Sequence, residues 1–160
     1  MPGAYGEGIV ASQLVEVLRS RFCRTLTLQE AEHVANATVP RRLQPNARIC
    51  HQGDPTPGLI FLLRGTAEIV KETPPAGAQV VASVAGPMIL GEISLLTGDA
   101  ASATVRALTD CECHILTRAQ YQRLLESQSL ATYKLVAAIA EILARKLTAM
   151  NDRVTAAPRQ

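Results

Sequence analysis

The residues of this sequence best suited to chemistry stand in short runs between positions 51 and 107. They are His51-Gln-Gly-Asp54, Gly58-Leu-Ile-Phe-Leu-Leu-Arg-Gly65, Gly86 with Gly91-Glu-Ile-Ser-Leu-Leu-Thr-Gly98, and Ala101-Ser-Ala-Thr-Val-Arg-Ala107. A glycine such as Gly91 lets the backbone come close to a ligand. A helical turn just after it presents unpaired amides, and the positive end of its dipole, to an anion. Glu92 in that turn has a second reading, as an acid that complements the dipole. The chemistry implied is recognition rather than bond making, because no nucleophile-base pair and no metal-ligand set stands out.

The remaining reactive side chains are scattered. Cys23, Cys50, Cys111 and Cys113 suit neither a secreted disulfide framework nor a spaced zinc set. Cys111 and Cys113 share a strand face with Ile115 and are expected to be buried structural thiols, with a redox or metal role as the alternative. His33, His51 and His114 have no ligand partners nearby in sequence and read as ordinary surface or polar-edge residues.

Several elements must hold these runs in place. Val10, Leu14, Val17, Leu18 and Phe22 recur at helical spacing, which predicts a helix over about Ile9 to Phe22 after a flexible N-terminus at 1–8. Thr27-Leu-Gln-Glu30 has capping-box form and opens a second short helix running toward Asn36, ended before Pro40. From Arg41 to Leu116 short apolar runs alternate with Gly, Pro, Asp and Asn, the pattern of a sandwich or barrel. Strands are predicted near Ala47 to Gln52, Leu59 to Leu63, Thr66 to Glu72, Gln79 to Val84, Ala103 to Leu108 and Cys111 to Leu116. Gly65 marks a tight turn, Pro74-Pro-Ala-Gly77 a hairpin loop, and Glu92 to Leu96 a single helical turn.

Thr117-Arg-Ala-Gln120 is a second capping-box sequence, followed by a short helix and then a long one from about Leu130 to Arg153. Along the long helix Val136, Ala140, Leu143, Leu147, Met150 and Val154 alternate four and three residues apart, a heptad seam. That stripe can pack on the protein's own barrel or on a twin helix, and Ile139 and Ile142 on a neighbouring face give width for both. A homodimer through this helix is expected. The chain thus reads as one domain over 9–155, with the barrel at about 41–116, C-terminal helices at about 118–154 and a tail at 156–160.

Composition narrows the function. With 48% hydrophobic but only 3% aromatic residues, few rings are available to stack nucleobases. Sixteen basic against fourteen acidic residues give a net charge of +2, with no basic run longer than Arg41-Arg42. Neither a nucleic-acid nor a membrane-surface footprint is present. No apolar stretch approaches the roughly 18 residues that span a bilayer, and the first residues lack the parts of a signal peptide, so a cytoplasmic location is expected.

In their order and spacing, the runs quoted above resemble the cyclic-nucleotide-binding domain of the bacterial catabolite-activator type, of protein kinase A regulatory subunits and of gated channels. The resemblance covers about Phe22 to Val154. It implies a mainly β fold, a cyclic-nucleotide-binding-type β-roll or jelly-roll barrel with N-terminal helices and a long C-terminal helix. It also implies a phosphate-binding cassette at Gly91, Glu92, Ile93, Ser94, Ala101, Ser102 and Ala103. In that family the glutamate bonds the ribose 2′-hydroxyl and an arginine pairs with the phosphate.

Here the arginine position holds Ala101. Hydrogen bonds to charged groups contribute roughly 1.5 to 3 kcal/mol each, so the loss implies binding weakened by about tenfold to a hundredfold. Arg106 lies on the opposite strand face from Ala101 and is not expected to replace it. Where relatives meet the base with hydroxyls on the long helix, this chain has Met150 and Asn151. Asn151 could bond a base edge, while Met150 offers apolar contact or is a seam residue.

The expected function is a dimeric, non-enzymatic regulatory or scaffolding module that engages another protein and needs no cofactor. The alternative is a sensor whose pocket takes a cyclic nucleotide or a nucleoside-like molecule and signals through the long helix. In the catabolite activator a helix-turn-helix domain follows that helix; here Thr155 to Gln160 follow, so direct DNA binding is not expected of these residues.

Overall fold

The run Leu59-Ile-Phe-Leu-Leu63 has no polar face, so as a strand it requires apolar cover on both sides. The fold supplies that cover. The computed structural model describes residues 5–156, with side chains from Ala11 onward. Its elements run α1 (Tyr5–Val17), α2 (Leu28–Asn36), β1 (Val39–Leu43), β2 (Arg48–Cys50), β3 (Leu59–Arg64), β4 (Thr66–Thr73), β5 (Gly77–Ala85), β6 (Met88–Leu90), α3 (Glu92–Thr97), β7 (Thr104–Ala107), β8 (Cys111–Leu116), α4 (Arg118–Glu126) and α5 (Leu130–Ala156).

Two antiparallel four-stranded sheets, ordered β1-β8-β3-β6 and β2-β7-β4-β5, face one another as a β-roll. Ile60 and Leu62 of β3 point between the sheets, among Ile49, Leu90, Val105, Cys111, Cys113 and Ile115. Leu59, Phe61 and Leu63 point the other way, onto Leu14, Leu18, Val34, Leu124, Leu135 and Ile139 of the helices. Each such side chain, fully buried, contributes about 1.5 to 3 kcal/mol. One strand therefore joins the barrel core to the helical layer.

The helical layer is anchored by local chemistry. Thr27 and Glu30 form the predicted capping box, with the Thr27 amide donating to Glu30 Oε1 at 3.0 Å and the Glu30 amide to Thr27 Oγ1 at 3.1 Å. Lys134 of α5 donates to the same Glu30 oxygen at 2.7 Å and ties the long helix to α2. Thr117 caps α4 by accepting from the Gln120 amide at 3.2 Å.

Several expectations need correction. The first helix begins at Tyr5, so Tyr5–Gly8 are helical rather than a flexible lead, and past Val17 it widens into a π-turn over Leu18–Phe22. Residues 1–4 and 157–160, expected as part of the lead and of the tail, lie outside the described residues. Strand β1, Val-Pro-Arg-Arg-Leu, shows no strand pattern in sequence because it is an exposed edge strand, paired among the described residues with β8 alone. Proline and charge are tolerated at an edge. Strand β6 is three residues long, too short for alternation to register. His114 is buried rather than on the surface.

Along α5 the buried face is Ala131, Leu135 and Ile139. Of the heptad seam, Val136 and Leu143 are partly covered by the core. Leu147, Met150 and Val154 are exposed. Among the described residues no helix is long and apolar enough to cross a membrane.

Candidate functional site

Helix α3 is set by the glycine before it. Gly91 has φ +79°, and a Cβ there would lie 2.7 Å from the Gly58 carbonyl oxygen, so the left-handed turn and the close approach both require glycine. At the other end Arg118 of α4 donates to the Ser94 and Leu95 carbonyls at 3.4 and 3.5 Å, a cation at a helix C-terminus. The turn is thus fixed at both ends.

The loop after β2 positions the second half of the cassette. The Gly53 amide donates to the Ala101 carbonyl and the Ala101 amide to the Asp54 carbonyl, each at 2.9 Å. The Gln52 amide donates to Thr104 Oγ1 at 3.0 Å, while its side chain both donates to and accepts from the Glu72 backbone. The His51-Gln-Gly-Asp54 run therefore works as a clamp across β4 and β7.

Gly91, Glu92, Ile93, Ser94, Ala101, Ser102 and Ala103 all line one cavity of about 170 Å³ between the sheets and α5. The structure brings together every predicted cassette residue, but few remain free. Ser94 is buried and its hydroxyl donates to the Ala100 carbonyl at 3.3 Å. Ala101 is buried, with its amide held by Asp54. Ser102 and Ile93 are exposed. Arg106 donates to Glu68 at 2.6 Å and does not line the cavity, in keeping with its place on the other strand face. Asn151 is exposed on α5 and does not line it either. A larger groove of about 660 Å³ between α1 and α2 holds none of the predicted residues.

A family model for the cyclic nucleotide-binding domain matches residues 40–128. The chain belongs to this family. A crystal structure of a cyclic nucleotide-binding domain from Methylobacillus flagellatus is 19% identical, covers 96% of this chain and 87% of its own, and has a TM-score of 0.82. The catabolite activator protein of Thermus thermophilus is 24% identical, with 82% and 61% covered and a TM-score of 0.67. Both likenesses are of fold. In sequence, the cGMP-dependent protein kinase egl-4 of Caenorhabditis briggsae is 24% identical over 120 residues. That stretch is 74% of this chain and 15% of the kinase.

In this cyclic nucleotide-binding domain the side chain that sequence reasoning missed is Lys146. Its Nζ donates to Glu92 Oε1 at 2.5 Å, and it lines the cavity from α5. Glu92 keeps only 8% of its side-chain surface exposed, against 50% for Lys146. A signal existed. Leu135, Ile139 and Ile142 follow one face of the helix, and four residues on from Ile142 that face arrives at Lys146.

Proposed function

We propose that this domain is a non-enzymatic, cytoplasmic regulatory or scaffolding module, dimeric through α5, whose cavity binds cyclic AMP and cyclic GMP weakly or not at all. Its partners are a second copy and another protein, with neither nucleic acid nor membrane. The observation that carries the reading is Ala101. It is buried where the resemblance calls for a guanidinium, its amide is engaged by Asp54, and no arginine among the described residues lines the cavity. A cavity of about 170 Å³ also lies below the usual 300 to 1,000 Å³ of small-molecule sites. The exposed Leu147, Met150 and Val154 support pairing of the helix.

A second reading, a ligand sensor, is favoured by one observation: Glu92 is retained, buried and facing the cavity. Its hydrogen-bonding capacity suits a ribose hydroxyl. A nucleoside-like ligand would not need the absent arginine.

Calorimetric titration with cyclic AMP, cyclic GMP and adenosine tests both. The expected result is affinity for the cyclic nucleotides no tighter than micromolar. Ala101→Arg is expected to raise cyclic AMP affinity about tenfold or more, the scale of one charge-assisted pair. Sub-micromolar cyclic AMP binding by the unaltered chain overturns the weak-pocket reading, while heat from adenosine alone favours the sensor.

A further inference from the structure

We propose that Lys146 is the counter-ion for any anionic ligand that enters the cavity, and that it serves by leaving Glu92 as a ligand hydroxyl takes its place. The inference rests on the reading of the cavity as a weak nucleotide pocket and assigns the charge on which residual binding depends. Among the residues lining the cavity, Glu92 and Lys146 are the acidic and basic side chains, and they are paired. The charges lining the pocket therefore cancel.

An anion entering this cavity comes within reach of the Glu92 carboxylate that lines it, and two like charges in a secluded site oppose one another. A cation must reach it, and Lys146 is the basic side chain already there. Its head is half exposed at the end of a flexible four-carbon stem, so it can turn from one oxygen to another. Once it turns, Glu92 is left buried and needs donors in its place, because an unpartnered buried carboxylate is costly. The ligand must then carry both an anion for Lys146 and a hydroxyl for Glu92.

That requirement defines the class as a small hydroxylated anion of the sugar-phosphate kind. A neutral nucleoside satisfies only half of it and has to compete with Lys146 for Glu92. Charge discrimination in this domain thus resides on α5 and not on the barrel. Lys146 is also the neighbour of Leu147, where the exposed apolar stripe of α5 begins.

The experiment is calorimetric titration of cyclic AMP and adenosine into the full chain, Lys146→Gln and Lys146→Arg, with thermal melts confirming folding. Lys146→Gln is expected to weaken cyclic AMP about tenfold or more and to leave adenosine unchanged or tighter, while Lys146→Arg retains cyclic AMP binding. Equal changes for both ligands, no change, tighter cyclic AMP binding, or no binding of either ligand to the unaltered chain overturns the proposal. If Lys146→Gln fails to fold, salt decides with the unaltered chain. Cyclic AMP affinity must fall as ionic strength rises while adenosine affinity does not, and a salt-independent cyclic AMP affinity overturns it. Sub-micromolar cyclic AMP binding that still depends on Lys146 overturns the weak-pocket reading alone.

Discussion

Thr38 and His114 fix one another beneath the helical layer. The Thr38 hydroxyl donates to the Ala35 carbonyl at 2.6 Å, and its oxygen lies 2.9 Å from His114 Nδ1. A hydroxyl has one proton, and here the Ala35 carbonyl takes it, so Nδ1 must carry a hydrogen and donate to Thr38. Nε2 is buried and has no hydrogen-bond partner among the described residues. Burial without a partner for Nε2 favours the neutral ring over the charged one.

Stability should therefore depend on His114 near neutral pH. Burial lowers its pKa from the ordinary 6.5, against a smaller opposing effect of Glu112. Below about 6.5 the unfolded chain takes up a proton that the folded one refuses, so the unfolded state binds more protons and stability falls as pH falls. The loss runs from 6.5 down to the lowered folded value and then stops. Glu30, held below its usual 4.5 chiefly by Lys134, acts in a lower window. Denaturant unfolding from pH 8 to 5 should show this slope, and His114→Gln should flatten it. Parallel curves for the two proteins would remove the histidine from the account.

Gly91→Ala should destabilise the fold more than an ordinary glycine replacement. A left-handed backbone costs a non-glycine residue about 1 to 2 kcal/mol, and here a Cβ also meets the Gly58 carbonyl oxygen at 2.7 Å. Gly77 provides the control, since its φ is +82° with nothing within 4 Å of an added Cβ. At a total of about 2 kcal/mol the midpoint of thermal unfolding drops by about 4 to 8 °C. Differential scanning calorimetry of both variants separates strain from clash; a Gly91→Ala melt no lower than that of Gly77→Ala would reject the clash.

The barrel was legible in sequence where one face or both had to be apolar. The expected strand at Cys111 to Leu116, with Cys111, Cys113 and Ile115 on one face, matches β8 in its bounds, and that at Leu59 to Leu63 falls short of β3 only by Arg64. Edge strand β1 was illegible because half its hydrogen-bonding surface answers to solvent, where Pro40, Arg41 and Arg42 cost little. The helical turn after Gly91 was legible because a glycine and a helix start leave a local pattern. Lys146 was not, because its role depends on where a helix 54 residues further along the chain passes over Glu92. No local pattern encodes that crossing.

The thiols should react in an order set by burial. Cys113 is pushed up to about 11 by burial, and Cys50 and Cys111 are shifted upward for the same first cause. Thiolate is the reactive form, so all three are sluggish near neutral pH. Cys50 alone of these is half-buried, and it lines the cavity. A small maleimide at pH 7.5, followed by mass spectrometry, should label Cys50 before Cys111 and Cys113, which wait for unfolding. Labelling of Cys113 as fast as Cys50 would contradict the burial of β8.

Leu147→Glu should separate two copies of the chain. Leu147, Met150 and Val154 are 59%, 61% and 75% exposed. Their three-and-four spacing continues the stripe that Val136 and Leu143 begin on the protein's own core. In a paired helix Leu147 faces its counterpart, and two carboxylates there would meet across an apolar seam, where charge is both desolvated and repelled. Light scattering should give twice the 17.1 kDa chain mass for the unaltered protein and the single mass for Leu147→Glu. Arg145→Glu serves as the control, because Arg145 is exposed and pairs with Glu141 on the same helix. A monomeric unaltered chain would reject the dimer, and a Leu147→Glu dimer would reject this face as its seam.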